Sequence, residues 1–231
     1  MKMRLLGVFI LMICVFAGSN TYAQTEPNQF TIDNHKKAYM VALKYNDFDA
    51  AKSALYHLLV EEPTNDSLLY ALSYIYFQSQ KYTSAVLTAQ DVLKLNPDRL
   101  QAIEISAICF ENLGIKDKAL THYESLYLKT DDYQTLYKIA FLQFDLKRFN
   151  ESRTNIDILL GKPEADEVKV VYNNEQNEQK EYPIKVSLLN LKGLISQEQG
   201  DKATAKQHFE EALKVAPDFV IAKKNLEGLG N

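Results

Sequence analysis

Apolar and small side chains recur along this chain at helical spacing, in amphipathic stretches that come in pairs. From Val186 to Phe219 the first stretch carries Leu189 and Gly193, and the second carries Ala205, Phe209 and Ala212. Gly200-Asp201 separates the two, and Pro217 follows. The same order can be laid on the preceding chain. Asp66 to Arg99 carries Leu69, Leu72, Ser73, Tyr76, Tyr82, Ala85, Ala89 and Pro97. Leu100 to Asp132 carries Ile103, Ala107, Phe110, Ala119, Tyr123 and Leu126. Tyr133 to about Glu164 carries Leu136, Ala140, Phe149, Ser152, Ile156 and Leu159, and Ile32 to Asn65 carries Ala38, Tyr39, Phe48, Ala51, Leu55, Leu58 and Pro63. Units starting at 66, 100 and 133 are spaced by 34 and 33 residues. Each therefore predicts two antiparallel helices joined by a short polar turn: Asn46-Asp47, Ser79-Gln80, Gly114, Lys147-Arg148 and Gly200-Asp201.

One such pair cannot bury its apolar face alone, so the period predicts stacking of neighbours into a solenoid. Small residues at the helix crossing serve this packing. A helix-interior glycine costs roughly 1 kcal/mol relative to alanine, so Gly193 points to a close approach of two backbones. The spacing of Leu189, Gly193, Ala205, Phe209, Ala212 and Pro217 resembles the tetratricopeptide repeat (TPR) family, with departures at Lys192 and Ser196. The resemblance implies an all-α, right-handed α-solenoid of about five TPR units, at about 32–65, 66–99, 100–132, 133–164 and 186–219. A C-terminal capping helix over 219–229, with Lys223, Lys224 and Glu227, wets the outer end of the stack.

An insertion over 165–185 interrupts the period. Glu167–Tyr172 and Lys180–Val186 are β-rich runs around a polar connector, which reads either as a two-stranded hairpin or as a mobile surface loop. Pro183 confines its strand to an edge or a non-bonded position. A lone hairpin is marginal in water and needs a helix face or a partner to lean on.

The N-terminus changes the expected location. Lys2 and Arg4, an apolar run from Leu5 to Ala17, and Thr21-Tyr22-Ala23 before Gln24 read as a signal peptide over 1–23, leaving a domain over 24–231. The apolar run falls short of the ~20 residues of a membrane-spanning helix. Export is therefore expected, and the resemblance to exported bacterial TPR proteins implies the periplasm or cell envelope as its destination. Loss of Lys2 and Arg4 from 26 basic and 30 acidic residues moves the net charge from −4 to −6. An acidic chain without a basic stripe is a poor match for nucleic acid or anionic lipid. Beyond the signal only Cys109 remains, so no internal disulfide can form, and its apolar neighbours Ile108 and Phe110 predict a buried thiol.

Reactive constellations are missing from the sequence. His35, His57, His122 and His208 fall in different units without metal-ligand spacing, and Asp131-Asp132 and Asp47/Asp49 sit at turns where carboxylates cap helices. No phosphate loop or nucleophile elbow occurs, so no enzyme, cofactor or metal is expected. The repeat resemblance instead implies an inner groove lined by the first helix of each unit. It offers Tyr70, Tyr74 and Phe77 in the second unit and Tyr137, Phe141 and Phe144 in the fourth, with Glu104, Ile108, Glu111 and Asn112 in the third. These aromatic groups form either a trough for a peptide or partner helix, or packing between adjacent helices. The family's carboxylate clamp is not met, because Lys36 is the only basic residue at the required places. The expected function is a protein–protein interaction scaffold. A self-assembling homodimer and a small-ligand or glycan binding module are the alternatives.

Overall fold

The computed structural model describes residues 29–174 and 176–230. The signal-peptide reading over 1–23 and the cut after Ala23 lie outside the described residues. Within them the chain forms four consecutive helix pairs: α1 (Gln29–Lys44) with α2 (Phe48–Glu61), α3 (Asp66–Gln78) with α4 (Tyr82–Leu95), α5 (Leu100–Asn112) with α6 (Lys116–Thr130), and α7 (Tyr133–Asp145) with α8 (Phe149–Leu160). A short α9 (Glu164–Glu167) leads into β1 (Lys169–Asn173) and β2 (Gln179–Pro183). The fifth pair, α10 (Ile184–Glu198) and α11 (Lys202–Val215), and a final α12 (Val220–Gly228) follow. Each pair packs on the next in chain order, and α10 meets α8 across the insertion. The result is an α-solenoid of five helix-turn-helix units with a terminal capping helix and a small inserted hairpin.

The period is written in the backbone. Asn46, Gln80, Gly114, Lys147 and Gly200 all adopt left-handed conformations, with φ of 54°, 56°, 72°, 59° and 81°. They stand 34, 34, 33 and 53 residues apart, the last interval holding the insertion. After each, one N–H closes the turn by donating to the carbonyl five residues back. The pairs are Asp47 to Ala42, Lys81 to Tyr76, Ile115 to Phe110, Arg148 to Gln143 and Asp201 to Ser196, at 2.8–2.9 Å. This closure satisfies carbonyls that a helix end would leave orphaned. Asp47 and Asp201 then cap the next helix by accepting from the Ala50 and Thr204 N–H groups.

Small residues let the two helices of a pair touch. A Cβ added to Gly193 would lie 2.3 Å from Cε1 of the fully buried Phe209, so the ring occupies the space that a side chain on α10 would need. Ala51, Ala85, Ala119 and Ala205 are fully buried at the start of their second helices. Ser73 and Ser152 turn the same crossing into a bond, each hydroxyl donating to a carbonyl of the partner helix, Ala85 and Ala140, at 2.9 and 2.7 Å. One apolar core runs from α4 to α10, joined by smaller clusters at the two ends. Cys109 lies fully buried within it.

The insertion is an antiparallel hairpin with Val170 opposite Tyr182 and Tyr172 opposite Lys180. Its bounds differ from the sequence reading. Glu167 belongs to the helical turn α9, and Ile184–Val186 open α10 instead of extending β2. Pro183 explains the second shift: it ends the strand with an extended backbone (φ −53°, ψ 138°) immediately before the first helical residue. The hairpin leans on the last units. Tyr172 and Tyr182 set their rings edge-on to Phe219, both with centroids 5.2 Å away. Lys180 pairs with Asp218, and Tyr182 is almost wholly buried. A lone hairpin lacks a core of its own, and Phe219 supplies one.

Candidate functional site

The two aromatic groups sit on α3 and α7, with α5 between them, and the structure does not bring them into one cluster. On α3, Tyr70 and Tyr74 have ring centroids 6.4 Å apart, and Phe77 leans on Tyr82 at 6.5 Å. Tyr70 carries the Arg99 guanidinium over its ring at 4.6 Å. That guanidinium also donates to Asp66 at 2.9 Å, tying the start of α5 to the start of α3. Hydrogen bonds from Asn96 and Arg99 hold the Asp66 carboxyl below its ordinary range. Tyr74 remains 43 % exposed.

On α7 the rings are engaged internally. Tyr137 and Phe141 pack at 4.6 Å, and Phe144 meets Phe149 at 5.8 Å. The Tyr137 hydroxyl lies 3.0 Å from the Ser187 Oγ on α10 and 3.5 Å from the Tyr172 hydroxyl on β1. Burial foremost, with Tyr172 nearby, pushes the Tyr137 phenol well above its ordinary range. Of the six aromatic residues singled out in the sequence, Tyr70, Phe77, Tyr137, Phe141 and Phe144 are half-buried against the main core. Inner positions of the fifth unit are closed as well. Ser187 and Asn190 are buried, and Asn190 accepts a hydrogen bond from Asn225 of α12 at 2.8 Å.

Between these regions lies a cleft of about 600 Å³. It is lined by Glu104, Ile108 and Glu111 of α5, Leu126 of α6, Gln134, Tyr137 and Lys138 of α7, and Val168, Lys169 and Val170 from the insertion. Glu111 is fixed at two atoms: Tyr123 donates to it at 2.7 Å and Lys138 at 3.1 Å. Burial and then the Glu111 hydrogen bond raise the Tyr123 phenol far above its usual range, so it stays a donor. Glu104 borders the same cleft without an ion-pair partner among the described residues. Sequence reasoning placed Glu104, Ile108 and Glu111 on the inner face. It missed the wall made by Val168, Lys169 and Val170. The β-rich runs pointed to a hairpin in need of a face to lean on, but nothing local told where it would dock.

The histidines and the cysteine have structural surroundings. His35 stacks on His57 at 4.5 Å, His122 on Phe110 at 5.4 Å, and His208 hydrogen-bonds Glu211 at 3.0 Å. Burial lowers the His122 pKa and pushes the Cys109 thiol up to about 11. Among the described residues, no group of three or more His, Cys, Asp or Glu side chains is placed to hold a metal ion. Among the same residues, no helix is long and apolar enough to cross a membrane.

Comparison with known proteins agrees with this architecture. Residues 66–99 and 186–219 each match the family model described as tetratricopeptide repeat. No curated protein matches the chain significantly. Among solved structures, one titled as YrrB, a TPR protein with an unusual peptide-binding site, superposes with a TM-score of 0.64. It is 10% identical and covers 84% of this chain and 89% of its own. A crystal structure of MamA gives 0.59 at 15% identity, covering 80% and 91%, and residues 41 to the end of MamA from Desulfovibrio magneticus RS-1 give 0.58 at 15%, covering 82% and 97%. At these identities the likeness concerns the fold. Two of the five helix pairs, 66–99 and 186–219, thus match the tetratricopeptide repeat model, and the array as a whole shares its fold with a solved TPR protein.

Proposed function

We propose that this protein is an exported, non-catalytic scaffold of a bacterial envelope whose inner face holds a peptide segment or helix of a partner protein. The observation that carries the reading is the open cleft between α5, α7 and the hairpin. It combines apolar wall residues (Ile108, Val170) with a few convergent polar groups (Glu104, Glu111, Lys138), the usual composition of a recognition site. On α3 the exposed Tyr74 offers a second aromatic group on the inner helices. Large aromatic rings of this kind are common anchors in binding energetics. Export rests on the charged and apolar sequence of residues 1–23.

Affinity capture of the tagged chain from its native envelope, with mass spectrometry of what is retained, tests this reading. A partner retained by the unaltered chain and lost on Tyr74→Ala or Ile108→Glu supports it. Retention of the same proteins by both variants counts against the groove. Recovery of the chain in the cytoplasm with residues 1–23 still attached counts against export.

One observation favours self-assembly as a second reading. Met40 and Val41 on α1, Tyr45 in the turn after it and Val60 on α2 are more than half exposed, and exposed apolar groups mark contact sites where they adjoin. Light scattering at micromolar concentration separates the two, since a monomer at all concentrations removes the second reading.

A further inference from the structure

The two strands of the hairpin have unlike outer edges. At one end Ile184 donates to the Val168 carbonyl, and at the other Asn174 donates to the Glu178 carbonyl, both at 2.8 Å. The register runs from Lys169 opposite Pro183 to Asn173 opposite Gln179. Antiparallel pairs alternate between bonded and non-bonded positions, so the bonded ones are Val170 with Tyr182 and Tyr172 with Lys180. The backbone groups of Lys169, Val171 and Asn173 therefore point outward from β1, and those of Gln179, Glu181 and Pro183 point outward from β2.

The β2 edge is protected. Pro183 has no N–H to offer, and the strand packs against α9 and α10. The β1 edge keeps all its donors and acceptors. It is the outer strand of a two-stranded sheet, and among the described residues no backbone group pairs with Lys169 or Val171. An uncovered edge is a template for another strand, and this one runs along the wall of the cleft through Val168, Lys169 and Val170.

We infer that β1 captures an extended peptide segment of the partner as a third strand lying in the cleft. Lys169 and Val171 each present one donor and one acceptor to its backbone, which is recognition by strand addition. Alternate side chains of the segment meet the apolar Ile108, Leu126 and Val170. Glu111 is already held by Lys138 and Tyr123, whereas Glu104 has no cation among the described residues, so the segment carries a lysine or arginine facing α5. This inference rests on the proposed peptide-binding role of the cleft and fixes the conformation and charge of what binds there.

The test uses the full chain and a random dodecapeptide library displayed on phage, with the best binder made synthetically. Amide hydrogen exchange by NMR is followed with and without the peptide. Binding is also measured for Val171→Pro, which removes an outward N–H without touching the β1–β2 bonds, and for Val171→Ala as control. The expected result is slowed exchange at Lys169 and Val171 on binding, with affinity reduced on the order of tenfold by Val171→Pro and little changed by Val171→Ala. The selected peptides should carry a basic residue whose benefit disappears with Glu104→Gln. Binding that is lost on Ile108→Glu but leaves both amides exchanging as before overturns strand addition while sparing the cleft. Failure of every selected peptide to depend on Ile108 overturns both. Protection of the two amides in peptide-free dimers overturns the peptide as occupant in favour of a second copy of the chain.

Discussion

Tyr74 and Phe141 hold the same place in the first helices of the second and fourth units, 67 residues apart, or one spacing of 34 plus one of 33. Their surroundings differ. Tyr74 stands 43 % exposed on α3. Phe141 rests on Tyr137, which reaches Ser187 of α10 and lies beside Tyr172 of the hairpin. Equivalent positions in a repeat share backbone geometry without sharing burial. The insertion reaches this side of the stack at α7, where Tyr172 lies beside Tyr137. An aromatic residue at an inner position is thus exposed in one unit and part of the packing in another.

The largest break in this comparison is removal of the hairpin. Replacing residues 168–183 with a short Gly-Ser linker, which keeps α9 and α10 whole, uncovers Phe219 and removes Tyr182 from beside it. A loss of about 3 kcal/mol is expected from the apolar area exposed. That corresponds to a melting temperature lower by about 6–12 °C in a chain of this size, together with dye binding at the newly exposed rings. An unchanged melt would show that the hairpin contributes nothing to the last units. Tyr137→Phe is milder. It removes the hydroxyl near Ser187 and keeps the ring, so about 1 kcal/mol is expected, read as a smaller shift in the same melt. The corresponding Tyr70→Phe should shift it less, because the structure shows no comparable bond from that hydroxyl.

Alkaline pH distinguishes the buried phenols. Burial foremost raises the Tyr133 pKa to about 12 and pushes Tyr137 and Tyr123 further up. Below pH ~10 the phenols are protonated in both folded and unfolded chains, so their contribution is constant. As pH rises from about 10 toward 12 the unfolded chain ionises first, and stability falls. Absorbance at 295 nm should therefore show a late tyrosinate step that coincides with loss of helix signal. A late step without unfolding would mean these rings are reached by solvent in the folded chain. The smallest expected effect concerns the turns. Lys147 adopts the conformation that Gly114 and Gly200 adopt without side-chain strain. Lys147→Gly should leave stability unchanged or raise it by up to about 1 kcal/mol in chemical denaturation.

Much of the solenoid is legible locally. The turns at Asn46, Gln80, Gly114, Lys147 and Gly200 follow from short-range chemistry, and Gly193 announces its contact with Phe209 because only a packing need justifies glycine inside a helix. Pro183 likewise marked a strand with a non-bonded position, where the register now puts it. The candidate groove was less legible. Tyr70 and Tyr137 look alike in sequence, yet one lies under Arg99 and the other between α10 and β1. That outcome depends on where Tyr172 and Tyr182 find Phe219, a contact between segments about 40 residues apart in sequence that no periodicity encodes. The start of α10 at Ile184 was missed because Ile184–Val186 suits a strand as well as a helix by composition, and α8 and the hairpin decide between them.

Side-by-side thermal denaturation of Tyr74→Ala and Phe141→Ala measures most directly whether the insertion divides the inner face. Phe141→Ala should lower stability by about 2 kcal/mol, somewhat less than a fully buried phenylalanine. Its melting temperature should therefore fall by about 4–8 °C, while Tyr74→Ala stays within about 2 °C of the unaltered chain. Equal shifts in the two variants would contradict a face that is open at α3 and packed at α7.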